Sequence, residues 1–116
     1  MAVNVNELVF VGFNSRVAAL DRQTGEKVWE WKSRKGSGYV ALLLDGDRLI
    51  VSVIGYTYCL DPASGRELWL NELPGMGQGV TSLASVRGNM AALLTSAAAE
   101  EAERSHNGAA TTTHVG

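Results

Sequence analysis

The stretch Gly75-Met76-Gly77-Gln78-Gly79 is the first place where residue type and spacing could do chemistry, because bare backbone N–H groups can cradle a phosphate. Such a loop needs a strand before it and a helix opening directly after it. Here 80–86 reads as a further strand, and a twin pair at Gly36 and Gly38 marks both as linkers. The run Trp29-Glu30-Trp31-Lys32-Ser33-Arg34-Lys35 could stack on and neutralise a nucleic-acid strand. The overall acidic balance favours reading it instead as an outer strand whose tryptophans pack and whose cations blunt an exposed edge. His106 and His114, the only histidines, supply too few ligands for a metal. Cys59 has no basic partner in any neighbouring motif, so it reads as a small core side chain and not as a nucleophile.

The composition agrees with that chemical silence. A net charge of −2 in 116 residues is too weak to draw nucleic acid or an anionic membrane, and 46% hydrophobic residues suffice for one modest core. No apolar run approaches the ~18 residues of a membrane span, and the start MAVNVNELVFVGF has no basic head before its apolar residues. One cysteine cannot form an internal disulfide. These features set a cytoplasmic expectation with neither nucleic acid nor membrane as partner.

What organises the chain is a repeat. Ala19-Leu20-Asp21-Arg22-Gln23-Thr24-Gly25-Glu26-Lys27-Val28-Trp29 returns as Cys59-Leu60-Asp61-Pro62-Ala63-Ser64-Gly65-Arg66-Glu67-Leu68-Trp69, a period of about forty. Each copy reads as a hairpin: the aspartate accepts from backbone N–H groups two or three residues on, and Gly25 and Gly65 supply the positive φ that closes the turn. Pro62 suits the first turn position. Trp29 shares a strand face with Trp31 at period two. The runs 39–44 and 49–54 are almost wholly apolar and joined by Asp45-Gly46-Asp47, so both faces of those strands must be covered. Strands at about 39–44, 48–54, 56–60 and 67–72 make one propeller blade.

The pattern A-L-D-x-x-T-G-x-x-x-W resembles the tryptophan-bearing repeat of the pyrroloquinoline-quinone-like, or quinoprotein-type, β-propellers, found in quinoprotein dehydrogenases and in many non-enzymatic bacterial propellers. The resemblance spans roughly residues 7 to 86. It implies that Leu20, Trp29, Leu60 and Trp69 pack between blades, with Asp21, Gly25, Asp61 and Gly65 as the other structural repeat positions. Trp31, opposite Asn71 in the second copy, lies outside the shared pattern. The family's enzymes bind quinone and calcium through acidic residues, an asparagine and often adjacent cysteines. This chain has no adjacent cysteines, Asp21 and Asp61 have turn duties, and Asp45 and Asp47 fall in a hairpin. No cofactor, metal or catalytic residue is assigned, and the expectation is a protein that is not an enzyme.

The fold expected is all-β, with about two four-stranded antiparallel blades within 1–88: blade one at about 7–33 and blade two at about 39–73. One extra strand follows at 80–86. An Ala-rich helix over 89–104, firmest at 96–104, is expected next, with 90–95 open to reading as a degenerate strand. A flexible tail, 105–116, ends the chain. Only 2–6 is left to give blade one an innermost strand. Propellers need typically 4 to 8 blades, so two would expose an apolar face at each end. That predicts closure by head-to-tail self-association into a trimer or tetramer, with the extra strand completing the neighbour's first blade. An initial methionine and a polar ending weigh against a fragment of a longer propeller. The function expected is an oligomeric scaffold or protein-binding module with an unknown protein partner, the alternative being quinone or sugar binding in the channel of a ring.

Overall fold

The computed structural model describes residues 3–88. Seven strands follow in order: β1 Leu8–Phe13, β2 Arg16–Asp21, β3 Lys27–Lys32, β4 Val40–Asp45, β5 Arg48–Val53, β6 Tyr56–Leu60 and β7 Glu67–Asn71. They form two antiparallel sheets in which every ladder joins sequence neighbours, β1-β2-β3 and β4-β5-β6-β7. The second is the complete four-stranded blade read from the sequence. Its first hairpin turns through Gly46 and Asp47 alone, with Asp45 opposite Arg48 and Gly46 at φ 60°.

The two repeat turns share one set of bonds. Asp21 Oδ1 accepts from the N–H groups of Gln23 and Thr24, Thr24 Oγ1 accepts from the Glu26 N–H, and the Gly25 N–H donates to the Asp21 carbonyl at 2.8 Å. Asp61, Ser64 and Gly65 repeat three of these bonds, while the Ser64 N–H donates to the Asp61 carbonyl instead of its side chain. Gly25 and Gly65 stand at φ 79° and 78°, as expected of left-handed turn positions. Both sheets also carry the same register slip, between Ala19 and Leu20 and between Cys59 and Leu60. Each slip advances the outer strand by one residue beside the turn, so a bulge belongs to the repeat as much as the glycine does.

Two expectations are corrected. Residues before β1 do not supply an innermost strand: Val5–Glu7 is a 3₁₀ turn capped by Asn4, whose side chain accepts from the Asn6 N–H at 3.0 Å. That local bond holds the chain out of extended geometry, and the first sheet keeps three strands. Residues 80–85, expected as an extra strand, have no ladder partner among the described residues, and a helical turn opens at 86–88. A lone segment has no neighbour to bond its backbone. It is tethered instead to the second sheet, by Gly79 N–H to the Ile54 carbonyl, Ser52 Oγ to Thr81 Oγ1 at 2.7 Å and Ser85 Oγ to Asp45 Oδ1 at 2.9 Å. The expected helix over 89–104 and the tail 105–116 lie outside the described residues.

The core sits between the two sheets. Val17 and Trp31 from the first pack with Val40, Leu49, Val51, Val53, Tyr58 and Leu60 from the second. Register explains the choice: Val51 lies opposite Tyr58 and Leu49 opposite Leu60, so alternate residues of β5 and β6 present one apolar face to the first sheet.

Candidate functional site

The most elaborate constellation of side chains is the junction between the sheets, and it is built by the outer strand of one blade reaching across to the repeat turn of the next. Trp29 donates from Nε1 to the Pro62 carbonyl at 2.9 Å, with its ring lying against Gly65 and tilted over Phe10. Gly65 is small because it has to be: an added Cβ would stand 2.5 and 2.6 Å from Trp29 Cε3 and Cδ2. Farther along the same strand, Trp31 meets Tyr58 edge-on with centroids 4.6 Å apart. Its Nε1 points at Glu67, whose carboxylate also receives Arg34 Nη2 at 2.6 Å and Nε at 3.1 Å. Both bonds fall on Oε2, and this pairing with Glu67 holds the Arg34 guanidinium above its ordinary pKa.

Tyr58 completes the junction. Its hydroxyl donates to the Lys35 carbonyl at 2.6 Å and accepts from the Lys35 N–H at 2.9 Å, closing the loop after β3 over the core. Burial raises the phenol's pKa, so the unfolded chain gives up this proton first. The contribution is therefore whole below pH 10 and is lost as pH rises through the folded-state value. Alkaline titration should show unfolding that sets in above about pH 10. Tyr58→Phe, which orphans both Lys35 groups, should cost about 1 to 3 kcal/mol at neutral pH, measured by urea unfolding.

Sequence-expected residues divide among these roles. Trp29 is at the junction, and Leu60 is fully buried facing the first sheet. Asp21, Gly25, Asp61 and Gly65 form the turns. Leu20 is only partly buried, on the sheet face turned away from the junction, and Trp69 is 48% exposed on the far face of the second sheet. The two repeat tryptophans are thus not equivalent. Trp31 is placed by the sequence on the face of Trp29 without a partner, whereas Tyr58 and Glu67 are not singled out; the alternation Tyr56, Tyr58, Leu60 is the available signal for Tyr58.

The other chemical candidates are occupied by structure. In the aromatic and basic run, Arg34 pairs with Glu67 and Lys35 with Glu72, while Glu30 bridges Lys27 and Arg16 and is held below the usual carboxylate range by Lys27 first and Arg16 less. After the glycine-rich segment the chain runs on to 85 before any helical turn. Cys59 is buried, and that burial pushes its thiol up, away from the thiolate a nucleophile needs. Among the described residues no three His, Cys, Asp or Glu side chains converge as a metal site, and no helix is long and apolar enough to cross a membrane. His106 and His114 lie outside them.

No curated protein matches the chain. The family profile described as outer membrane protein assembly factor BamB, which is built on PQQ-like repeats, matches residues 13–110, most of the sequence. With the turn, bulge and tryptophan recurring at one period in two stacked sheets, the chain belongs to this family of PQQ-like repeat proteins.

Proposed function

We propose that the chain is a non-catalytic propeller-repeat module, a scaffold that holds protein against protein through blade faces. One observation carries this: the polar and aromatic groups that could do chemistry are committed to the repeat turns, the core or the junction between blades. Asp21 and Asp61 spend a carboxylate oxygen each on turn amides. The Arg34 guanidinium is held by Glu67, and the Cys59 thiol is buried. Beside the charged residues of the surface, apolar side chains stand exposed along two strands, Val9, Val11 and Phe13 on β1 and Trp69 on β7. Surfaces of that kind serve association.

A thermal-shift series with quinones, sugars and calcium tests the proposal. An unchanged melting temperature is the expected result. Any ligand that binds the folded state alone must raise it, by mass action, and a rise would replace this reading with small-ligand binding.

A further inference from the structure

The junction inside the chain is a contact between unlike halves, and each half recurs once more without its mate. The knob is the repeat tryptophan and the socket is the Asp-x-x-Thr/Ser-Gly turn of the following blade. Trp29 fills the socket at Asp61–Gly65, crowding Gly65. The second knob, Trp69, lies on the face of the second sheet turned away from the first, beside Cys59 across the ladder, and is 48% exposed. The second socket, Asp21 to Gly25, has nothing within 4 Å of where a Gly25 Cβ would stand, although its bonds and its φ copy those of the filled one. Among the described residues no third Asp-x-x-Thr/Ser-Gly turn follows Trp69.

A second pair of unmated parts obeys the same spacing. Leu49, Val51 and Val53 of β5 are buried against the first sheet, whereas their repeat counterparts Val9, Val11 and Phe13 are exposed, Phe13 at 67%. The first sheet also lacks the innermost strand that β4 gives the second. Residues 80–85 form no ladder here but alternate as such a strand would: Thr81, Leu83 and Ser85 are partly buried while Val80, Ser82 and Ala84 are exposed. Thr81 touches Ser52 where, one repeat earlier, Val40 meets Gly12.

The geometry points to a second copy of this chain as the occupant: Trp69 of one copy seats on the Asp21–Gly25 turn of the next, while 80–85 of the first pairs with the free edge of β1 in the second. One displacement, from blade one to blade two, generates both contacts, and the repeat offsets place Thr81 opposite Phe13 and Ser85 opposite Val9. The contact is head to tail, so each copy still offers one knob and one socket. This rests on the reading of the chain as a binding module and names its partner.

Light scattering on the full chain at micromolar concentration, with complementary variants, tests it. The parent should run at a multiple of 12.4 kDa. Trp69→Ser removes the knob; Gly25→Asn blocks the socket with a residue that tolerates left-handed backbone. Each variant alone should fall to the mass of one chain with the far-ultraviolet circular dichroism of the parent, and should Trp69→Ser lose that spectrum, Gly25→Asn decides. Mixed one to one, the variants should form a dimer and nothing larger, because each carries the half the other lacks. A folded parent at single-chain mass overturns the inference, as do variants that keep the parent's mass or a mixture that stays monomeric. The ligand series is independent of these masses, so failure of the self-contact and failure of the module reading are read separately.

Discussion

Alanine at Trp31 is expected to lower the unfolding free energy by about 3 to 5 kcal/mol, the range for emptying a large aromatic site in a core. The indole is 8% exposed, stands edge-on to Tyr58 and ties the first sheet to Glu67 of the second. Removing it opens the centre of the junction and leaves Val17, its ladder partner, facing the gap. Relaxation is limited because Tyr58 is anchored at both ends of its hydroxyl by Lys35. Urea unfolding followed by circular dichroism checks the figure, with Trp69→Ala as the comparison. In a single copy the half-exposed Trp69 has less to lose, so a loss at Trp69 equal to that at Trp31 would show that the burial difference does not govern stability.

The second large effect concerns two glycines of the same φ. Gly25→Ala should cost about 1 kcal/mol, the penalty of a Cβ in left-handed backbone with free space around it. Gly65→Ala carries that penalty and also drives a methyl into the Trp29 ring, which adds about 1 to 3 kcal/mol of overpacking. The difference between the two variants isolates the indole contact, since turn bonds and φ are matched. Differential melting of the pair, with Trp29→Ala added to Gly65→Ala, checks the cause: with the indole gone, the two glycine positions should cost the same.

These residues show where sequence reading reached and where it stopped. The hairpins were legible because their determinants are short-range: an aspartate, a hydroxyl three residues on and a glycine after it specify a turn without reference to anything distant. Strand limits in the second sheet followed for the same reason, within a residue or two. The inequality of Trp29 and Trp69 was not legible. A repeat records what recurs along the chain, whereas burial at a junction depends on whether the next turn is there to be met, and one junction lies within the described residues. The sequence puts Trp31 on the face of Trp29 but outside the repeat, and its partner was illegible for the converse reason: it faces Tyr58, which has no aromatic counterpart in the first copy. The Arg34–Glu67 pair joins residues 33 apart in sequence, a separation that no helical or strand period connects. At 80–85 the inward and outward alternation of a strand is present, but strand formation also needs a partner's backbone, which local sequence does not report.

That every ladder joins sequence neighbours has a kinetic consequence. Each pairing closes as a hairpin over two to six intervening residues, the kind of event that takes about 1 to 10 microseconds. Longer loop closures are needed at the junction, across the linker that carries Gly36 and Gly38, and where Thr81 and Ser85 return to the second sheet. The rate-limiting step therefore falls on the docking of preformed meanders, with Trp29 arriving on a turn already shaped by Asp61. The buried residues are concentrated in the second sheet, Leu49, Val51, Val53, Tyr58, Cys59 and Leu60, against Val17, Ala19 and Trp31 in the first. The second sheet is therefore expected to form before the first docks on it, which folding kinetics would show as high φ-values at Leu49, Val51 and Tyr58 and low ones at Val17 and Trp31.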